Sequence, residues 1–384
     1  MEPFYHPQFK LGILGGGQLG RMLFQEAVNL DVRMSFLDPD PQAPCHAIGH
    51  GFQNGNFNDY QTVVDFGRDK DVLTIEIEHV NTDALEFLEK QGVKVFPQPH
   101  LIRMIQDKGL QKEFYRKHNL PTAGFELIEN AAALTAQKLP IVQKLRTGGY
   151  DGRGVQVLRD EKDLQKAFDA PSVLEELVDF EQEIAVIVAR NVHGEIKCFP
   201  AVGMDFNPEA NLVEFLYAPA DLAPEIEKEA QQLAARLIES MQMVGILAVE
   251  MFVTKDGKLL INEMAPRPHN SGHHTIEANI TSQYEQHLRS ILGLPLGETD
   301  LLKPAVMLNL LGDKGHTGPV EYENLEEALA TPGVHVHLYG KTTTKPFRKM
   351  GHVTVVADSV SEAKQTAQKI QQLLRVISSA TVPQ

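Results

Sequence analysis

The sequence predicts a mixed α/β and α+β fold in three parts: an N-terminal parallel-sheet domain, a central domain of mixed strands and helices, and a C-terminal β-rich domain. The length of 384 residues supports several domains, because one hydrophobic core seldom serves more than about 250–300 residues. Short β-rich segments alternate with helical segments over residues 10–96, as in parallel sheets flanked by helices. After residue 298, strand-like segments dominate, with one closing helix near residues 360–376.

Four strands and two helices are predicted in the N-terminal domain. The strand segments are KLGIL, VRMSFLD, VLTIEIE and VKVF, and the helical segments are QLGRMLFQEAV and TDALEFLEKQ. The sequence PQP at 97–99 ends this pattern, so we place the domains at 1–98, 99–298 and 299–384. In the central domain a helix is expected at 224–241, because apolar residues recur there at helical spacing.

Composition argues against several classes of function. The net charge of −15 is unfavourable for nucleic-acid or anionic-membrane binding, because phosphate groups attract basic surfaces. Cys45 and Cys198 are far apart and support neither a disulfide framework nor a zinc knuckle. The sequence has no signal-peptide pattern and no apolar run near ~18 residues. We therefore expect a cytoplasmic protein with no nucleic-acid or membrane partner.

Residues 244–263 read VGILAVEMFVTKDGKLLINE, which predicts a β-hairpin with a two-residue turn at Asp256-Gly257. Such a turn places Glu250 opposite Glu263 on one face, where like charges destabilise each other. A divalent cation would remove that cost, and magnesium prefers carboxylate together with phosphate oxygens. A solvated hairpin with both carboxylates in water is the alternative, although the neighbouring residues Ile246, Ala248 and Phe252 look buried.

Two glycine-rich loops suggest phosphate binding. Residues 144–154, KLRTGGYDGRG, follow a β-like segment and combine four glycines with three cations, as a mobile flap over a triphosphate would. An exposed turn is the alternative. The earlier loop GILGGGQLG matches GxGxxG at Gly15, Gly17 and Gly20, with Asp38 further on, and so predicts a dinucleotide site by rule. Because a helix N-terminus accepts any phosphate, this motif alone does not identify the ligand.

Other polar segments lie near the ends of predicted strands. Glu76 and Glu78 end the strand VLTIEIE and would face the crevice at the carboxyl edge of the sheet, where carboxylates bind ribose hydroxyls. Surface glutamates are the alternative. Residues 341–349, KTTTKPFRK, form a basic loop in an acidic protein. Lys341 and Arg348 would clamp a phosphate dianion, or the lysines would protect a sheet edge.

The segment NEMAPRPHNSGHH, residues 262–274, concentrates metal-binding and anion-binding side chains. Glu263 would reach a metal, while Arg267, His269 and Asn270 would hold an anion, and the prolines between them stiffen the segment. Zinc ligation by the histidines at 269, 273 and 274 is another alternative, since 269 and 273 are four residues apart. The prolines disfavour the helix that would bring these two together, and no third ligand for such a pair is evident. A purely structural role for the last two histidines also stays open.

Taken together, Lys144, RTGGYDGRG, the Glu250–Glu263 pair and NEMAPRPHNSGHH resemble the ATP-grasp superfamily. More narrowly, the chain is similar to the N5-carboxyaminoimidazole ribonucleotide synthetase family, with its hallmarks GGGQLGRM, RTGGYDGRG, NExAPRPHNSGH and RKMGH. All four occur in order between residues 15 and 352. The resemblance implies an N-terminal pre-ATP-grasp domain, a central ATP-grasp domain with a small lid at about 120–184, a C-terminal β-rich domain, and a homodimer.

The resemblance also implies a reaction and its site residues. ATP would phosphorylate bicarbonate, and the carboxyphosphate, or carbon dioxide released from it, would carboxylate aminoimidazole ribonucleotide.

Adenine would lie at the hinge 175–178 and the ATP ribose at Glu183. The full set expected to bind ATP is Lys108, Lys144, Gly149, Gly152, Glu175, Glu176, Leu177, Val178, Glu183 and Asn262. The catalytic set is Tyr150, Asp151, Arg153, Arg267, His269 and Asn270. The ribonucleotide set is Gln18, Leu19, Glu76, Lys341 and Arg348. Glu250 and Glu263 would hold Mg²⁺, with Mn²⁺ as a substitute. Lys108 stands where some relatives carry arginine.

Two other functions remain open from the sequence. One is an ATP-grasp ligase that activates another carboxylate, such as formate or an amino acid, through an acyl phosphate. The other is an NAD(P)-dependent oxidoreductase or a non-catalytic nucleotide sensor, which would depend on GGGQLG and Asp38.

Overall fold

The computed structural model describes residues 4–134, 138–149, 154–207 and 212–379. Among these residues, no helix combines the length and the apolar character needed to cross a membrane.

The N-terminal part alternates strands with helices, as the sequence predicted. Its elements are β1 (Leu11–Leu14), α1 (Gln18–Asn29), β2 (Met34–Asp38), β3 (Gly51–Asn54), α2 (Tyr60–Gly67), β4 (Val72–Ile75), α3 (Thr82–Lys90) and β5 (Lys94–Val95). The five strands form a parallel sheet in the order β3-β2-β1-β4-β5. All residues of β1 and β4 are buried, which is typical of parallel strands covered on both faces. Strand β3 and helix α2 were not predicted; β3 is a partly exposed edge strand.

The order of these strands creates a crevice. Strand β1 lies between β2 and β4, so the chain crosses to opposite sides of β1, and ligands bind at the carboxyl ends of strands around such a point. Helix α1 begins at Gln18 just beyond β1, and Glu76 follows β4 directly. Both residues therefore stand at the same edge of the sheet.

A separate small sheet follows two connecting helices, α4 (Pro99–Ile105) and α5 (Lys108–Lys117). Its strands are β6 (Phe125–Ile128), β7 (Ile141–Leu145), β8 (Val155–Leu158) and β9 (Ser172–Glu176), with short 3-10 helices at Ala131–Ala133 and Glu161–Lys166. They pair antiparallel in the order β6-β9-β7-β8. This sheet has its own small core of Ile128, Ile141, Leu158 and Leu174, and we call it the lid sheet.

One nine-stranded sheet joins the central and C-terminal parts. Its central strands are β10 (Phe180–Arg190), β11 (Ile196–Cys198), β12 (Val202–Asn207), β13 (Leu212–Ala218), β14 (Gly245–Thr254) and β15 (Leu259–Ala265). Its C-terminal strands are β16 (Ala305–Leu311), β18 (Val334–Leu338) and β20 (Lys349–Val356). The order is β15-β14-β10-β12-β13-β16-β20-β18, with β11 on β10. The C-terminal strands therefore extend the central sheet, through the pairing of β13 with β16.

Helices and a smaller sheet cover this large sheet. The remaining elements are α6 (Pro224–Met241), a 3-10 helix at Asn270–Gly272, α7 (Thr275–Ala278), α8 (Gln283–Leu292), β17 (Gly318–Glu323), α9 (Leu325–Leu329), β19 (Thr343–Thr344), α10 (Val360–Leu373) and β21 (Arg375–Ser378). The prediction of α6 is confirmed, and its apolar stripe from Ala230 to Met241 is buried against β10 and β14. Helix α10 ends earlier than predicted because β21 begins at Arg375.

The hairpin of β14 and β15 differs from the prediction in its turn but not in its carboxylate pair. Near the turn the register is Val253 with Leu259, which leaves a longer loop than the predicted two residues, with Gly257 at a positive φ of 75°. An irregularity between Glu250 and Met251 then shifts the register by one residue. Such a bulge restores the pairing of Glu250 with Glu263.

Candidate active site

One cavity of about 730 Å³ is lined by all three parts of the chain. The N-terminal part contributes side chains at the carboxyl edge of the parallel sheet, the central part contributes the hairpin and the segment after it, and the C-terminal part contributes strand ends. The lining of this cavity includes Gln18, Leu19, Glu76, Glu78, Lys108, Gly149, Glu250, Glu263, Arg267, His269, Asn270, His273, Tyr339 and Lys349.

The hairpin carboxylates Glu250 and Glu263 are in different electrostatic environments. Burial, together with the charges of Glu263 and Glu183, raises the pKa of Glu250 to about 8. Although burial opposes it, the cations of Lys108, Lys144 and Arg267 keep the pKa of Glu263 below its usual value. Glu263 also forms an ion pair with Lys108. Two facing carboxylates of which one resists ionisation suit a divalent cation, which would favour the charged form of both.

Lysines from the lid sheet and from α5 converge near the hairpin. The Lys144 ammonium donates to Asn262 Oδ1 at 2.8 Å and pairs with Glu175 Oε2 at 2.9 Å. Glu175 Oε1 lies 3.0 Å from the ammonium of Lys112, and all three charged side chains are buried. Burial opposes ionisation of Glu175, but Lys144 and Lys112 outweigh it and lower the pKa of that carboxyl. The Glu175 carboxylate is thus held between two lysines.

The predicted hinge 175–178 connects β9 of the lid sheet to β10. Glu176 is exposed, and Leu177 and Val178 are partly buried. Glu183, on β10, accepts a hydrogen bond from Asn262 Nδ2 at 3.2 Å. Burial raises the pKa of Glu183 to about 7. The lysines, Asn262 and the hinge therefore surround the predicted nucleotide region, but of these residues Lys108 alone lines the described cavity.

The segment after β15 holds Arg267 and His269 against the cavity. The guanidinium of Arg267 pairs with Glu78 Oε1 at 2.8 Å, which explains one of the two glutamates that end the VLTIEIE segment. His269 Nε2 lies 3.8 Å from Glu250 Oε1. Burial, together with the charges of Arg267 and Lys349, lowers the pKa of His269 to about 3, so the ring is neutral at physiological pH. The zinc alternative fails here: the described residues contain no group of three or more metal-ligating His, Cys, Asp or Glu side chains.

The glycine-rich loop binds the side chain of Glu76 at the place where a dinucleotide motif would bind phosphate. Its carboxylate accepts hydrogen bonds from the backbone N–H groups of Gly17 and Gly20, the groups that would face a pyrophosphate at a helix N-terminus. A Cβ at Gly15, where φ is +106°, would lie 2.3 Å from Glu76 Cγ. The glycines therefore accommodate a buried carboxylate of the same chain, and the dinucleotide prediction is wrong. Burial raises the pKa of Glu76 to about 7.

The basic loop is beside the cavity rather than in its wall. Lys341 and Arg348 are not among the lining residues of the described cavity. The Lys341 ammonium donates to the Lys349 carbonyl at 2.6 Å, and burial lowers its pKa to about 8. Arg348 is half-buried and donates to the carbonyl and hydroxyl of Thr343 at 2.7 and 2.9 Å. Lys349, which the sequence reasoning did not single out, lines the cavity from the first residue of β20.

Three stacked histidines pack behind this wall, and we call His273, His352 and His337 the imidazole column. The ring centroids of His273 and His352 are 4.6 Å apart, and those of His352 and His337 are 4.4 Å apart. Tyr339 Oη lies 3.0 Å from His352 Nδ1, and His337 Nε2 lies 2.6 Å from Glu277 Oε1. The column therefore joins the C-terminal strands to the segment 273–277 of the central domain. No sequence signal predicted it.

Replacing His352 with phenylalanine is expected to make folding less sensitive to acid. Burial, reinforced by His273 and His337, holds the pKa of His352 well below its ordinary value of 6.5. Below pH 6.5 the unfolded chain binds a proton here that the folded chain does not, so wild-type stability falls as pH falls. For each pH unit below 6.5, the wild type should therefore lose about 1.4 kcal/mol of unfolding free energy relative to the variant. Denaturant titrations at pH 7 and pH 5 measure it; a constant difference would contradict it.

Four predicted site residues, Tyr150, Asp151, Gly152 and Arg153, lie outside the described residues. Of the other flap glycines, Gly148 and Gly149 line the cavity. Arg146, also in the flap, pairs through its guanidinium with Asp107 at 2.6 Å. This contact ties the lid sheet to the start of α5 and was not foreseen, because Asp107 belongs to no motif that the sequence analysis used.

Family models match the three parts in order. A ribonucleotide synthetase preATP-grasp domain matches residues 9–106, an ATP-grasp domain matches 113–284, and a phosphoribosylaminoimidazole carboxylase C-terminal domain matches 305–366. The chain spans about two thirds of the length of several fungal and plant relatives named phosphoribosylaminoimidazole carboxylase, at 64–67% of their residues.

Relatives of similar length match over nearly the whole chain. The N5-carboxyaminoimidazole ribonucleotide synthase of Bacillus subtilis is 37% identical, over 93% of this chain and 94% of that protein. The crystal structure of N5-carboxyaminoimidazole ribonucleotide synthetase from Thermotoga maritima has a TM-score of 0.90 at 42% identity, covering 97% of this chain and all of that one. An Aspergillus clavatus structure in complex with ADP and 5-aminoimidazole ribonucleotide has a TM-score of 0.86 at 34% identity, covering 95% of this chain and 98% of that one. The chain therefore belongs to the N5-carboxyaminoimidazole ribonucleotide synthetase family of ATP-grasp ligases.

Proposed function

We propose that this chain catalyses the ATP-dependent carboxylation of 5-aminoimidazole ribonucleotide with bicarbonate, giving N5-carboxyaminoimidazole ribonucleotide, ADP and phosphate in purine biosynthesis. The observation that carries the proposal is the cavity of about 730 Å³ in which a facing carboxylate pair, Glu250 and Glu263, meets Arg267 and His269. A relative of 34% identity binds ADP and the ribonucleotide together, which is what this reaction requires.

The chemistry explains why such a site needs both anion-binding and nucleotide-binding groups. Bicarbonate is a poor electrophile, so ATP first converts it to a mixed anhydride, carboxyphosphate. A bicarbonate oxygen attacks the γ-phosphorus, the bond to ADP breaks, and negative charge spreads over the phosphoryl oxygens. Lys144 and Arg267 would stabilise that charge. The ribonucleotide amine then attacks the carboxyl carbon of carboxyphosphate, and phosphate leaves. Alternatively, the anhydride first releases carbon dioxide and phosphate, and the amine captures the carbon dioxide.

The carboxylate pair fits Mg²⁺ by its donor chemistry, with Mn²⁺ as a substitute. Glu250 and Glu263 would hold the ion, with Asn262 beside them, and the bound ion would neutralise charge on the nucleotide phosphates. Without such an ion, burial and the neighbouring carboxylate oppose ionisation of Glu250, which supports a cation as the expected partner. The glycine-rich flap 144–154 would exclude water, because water destroys carboxyphosphate.

The remaining site roles are proposed on the same basis. The hinge 175–178 would hold adenine through its backbone, and Glu183 would bind the ATP ribose. Gln18, Leu19 and Glu76 would line the ribonucleotide site, with Lys341 and Arg348 at its phosphate. We also propose a homodimer, which sedimentation would test, and a cytoplasmic location, with which the free thiols of Cys45 and Cys198 agree.

A phosphate-release assay separates this function from its competitors. Phosphate release from ATP should require bicarbonate and 5-aminoimidazole ribonucleotide together, and mass spectrometry should find the N-carboxylated ribonucleotide. Release supported by formate or an amino acid instead would indicate a different ATP-grasp ligase. Nucleotide binding without turnover would indicate a sensor, and either result would overturn the proposal.

The variant Arg348→Ala tests the proposed phosphate clamp. Its loss should raise the KM for the ribonucleotide by about tenfold or more, because a charge-assisted contact to phosphate contributes on the order of 1.5–3 kcal/mol. The KM for ATP should change little, because the nucleotide would be bound by other residues. Steady-state kinetics with each substrate varied in turn measures the split. Equal rises in both KM values would count against the clamp.

A further inference from the structure

His273 lines the cavity but has no role in the site described so far. We propose that His273 is a further substrate-contacting residue, held as the neutral Nε2–H tautomer, and that its Nε2–H donates a hydrogen bond to an oxygen of the carboxyl group being transferred. The inference rests on the proposed function and adds one donor to that site.

The tautomer follows from two neighbours of His273 Nδ1. The Gln283 side-chain amide is oriented by the backbone of His269. The backbone N–H of His269 donates to Gln283 Oε1 at 2.8 Å, and its backbone carbonyl accepts from Gln283 Nε2 at 2.7 Å. The same Nε2 lies 3.4 Å from His273 Nδ1, so a donor faces this ring nitrogen. Nδ1 therefore has to be the acceptor, with the proton on the opposite nitrogen.

Tyr284 leads to the same assignment. Its hydroxyl oxygen lies 2.9 Å from His273 Nδ1 and 3.3 Å from the sulfur of Met22. A thioether is a weak acceptor, so the hydroxyl proton goes to the imidazole nitrogen. Both contacts occupy Nδ1, which leaves Nε2 as the polar atom of this ring for a bound molecule.

The surroundings of His273 indicate an anionic oxygen as the partner. Lys349 is near enough to His273 to depress its pKa, and Lys349 and Arg267 act in the same way on His269. The positive charges of Lys349 and Arg267 suit an anion derived from bicarbonate. The neutral N–H of His273 would add a hydrogen-bond donor to this site without adding a third positive charge. Donors already aimed at an oxygen stabilise the charge that develops there during reaction.

His273 keeps its proton throughout the reaction proposed here. The amine nitrogen forms its bond to the carboxyl carbon, the bond from that carbon to the phosphate oxygen breaks, and phosphate leaves with the electron pair. The departing phosphate takes up the amine proton. Burial, with His269 and Lys349, keeps the pKa of His273 well below its ordinary value, so the ring stays a neutral donor.

The imidazole column would fix the direction in which this donor points. His352 covers one face of the His273 ring, and His337 covers the far face of His352. His337 is in turn held by Glu277, four residues after His273. The C-terminal strands therefore clamp the ring from behind, while Gln283 and Tyr284 hold its edge.

Two substitutions separate the donor from the ring. His273→Phe keeps a flat ring to stack on His352 but has no N–H, and we expect kcat for ribonucleotide carboxylation to fall by about 10²- to 10³-fold with a much smaller change in the KM for ATP. His273→Gln carries an amide N–H near the place of Nε2 and should recover at least about tenfold of that loss. His274→Gln, a buried neighbour outside the lining, is the matched control and should retain wild-type kcat.

Nitrogen-15 NMR of the full chain labelled at histidine tests the tautomer without any turnover. The signals that vanish in His273→Gln should report a protonated Nε2 and an unprotonated Nδ1. A protonated Nδ1 would overturn the proposal even if the chain carboxylates the ribonucleotide. Wild-type kcat in His273→Phe, or no recovery in His273→Gln, would also overturn it. The expected tautomer in a chain that forms no carboxylated product would refute the proposed function instead.

Discussion

Replacing Glu263 with glutamine is expected to abolish release of phosphate from ATP while leaving the fold intact. Glu263 faces Glu250 across the hairpin, and the proposed Mg²⁺ needs the charge of both carboxylates. A neutral amide keeps the size of the side chain but removes half of that charge. We expect a loss in kcat of about 10³-fold or more, equivalent to roughly 4 kcal/mol of transition-state stabilisation.

A metal-binding measurement separates this effect from general damage. Binding of Mn²⁺ in the presence of ADP, followed by electron paramagnetic resonance, should weaken in Glu263→Gln and in Glu250→Gln alike. Glu181 on β10 is exposed, and Glu181→Gln is the matched control that should bind metal and turn over normally. Near-normal turnover in Glu263→Gln would remove the metal assignment.

Local periodicity explains why parts of the fold were predictable. Helix α6 was predicted at its observed bounds because its apolar stripe and its initial Pro224 are properties of neighbouring residues. Four of the five strands of the parallel sheet were also predicted, because buried parallel strands are nearly continuous apolar segments. Strand β3, by contrast, reads GFQN with a half-exposed pattern, so its place in the sheet depends on pairing with β2 and not on its own composition.

The hairpin shows how a correct contact can follow from an incorrect local model. A two-residue turn gives the pairing of Glu250 with Glu263, but the observed turn is longer, and a bulge cancels the difference. The bulge falls where Ile261 is held by another segment: its N–H donates to the Pro121 carbonyl at 2.8 Å, and its own carbonyl accepts from the Thr122 hydroxyl at 2.7 Å. Contacts more than 130 residues apart in the chain cannot be inferred from hairpin rules.

Site residues could be predicted where they are contiguous in a sequence motif. They could not be predicted where the fold brings single residues of different domains together. Arg267, His269 and Asn270 are contiguous in one motif, and all line the cavity. The capping of α1 by Glu76, across 56 residues, defeated the dinucleotide rule, because the motif describes the loop and not its occupant. Lys349 and the imidazole column likewise depend on how the C-terminal strands extend the central sheet.

The variant Lys112→Met is expected to destabilise the protein and to weaken ATP binding selectively. The buried ammonium of Lys112 lies 3.0 Å from Glu175 and donates to the Thr122 hydroxyl at 2.6 Å, so it joins α5 to the lid sheet. Removing one partner of a buried ion pair costs about 3–5 kcal/mol. We expect the lower end, about 3 kcal/mol, because Glu175 keeps Lys144 as a partner.

The effect on ATP follows from that remaining contact. Without Lys112, the whole charge of Glu175 acts on Lys144 and draws its ammonium away from the proposed phosphate site, so the KM for ATP should rise by about tenfold, or ~1.4 kcal/mol. The KM for the ribonucleotide should hardly change. Lys117 lies exposed on the same helix, and Lys117→Met should leave stability and both KM values as in the wild type. Denaturant unfolding and steady-state kinetics measure these effects, and a parallel rise in both KM values would show that Lys112 acts on the fold as a whole rather than through Glu175.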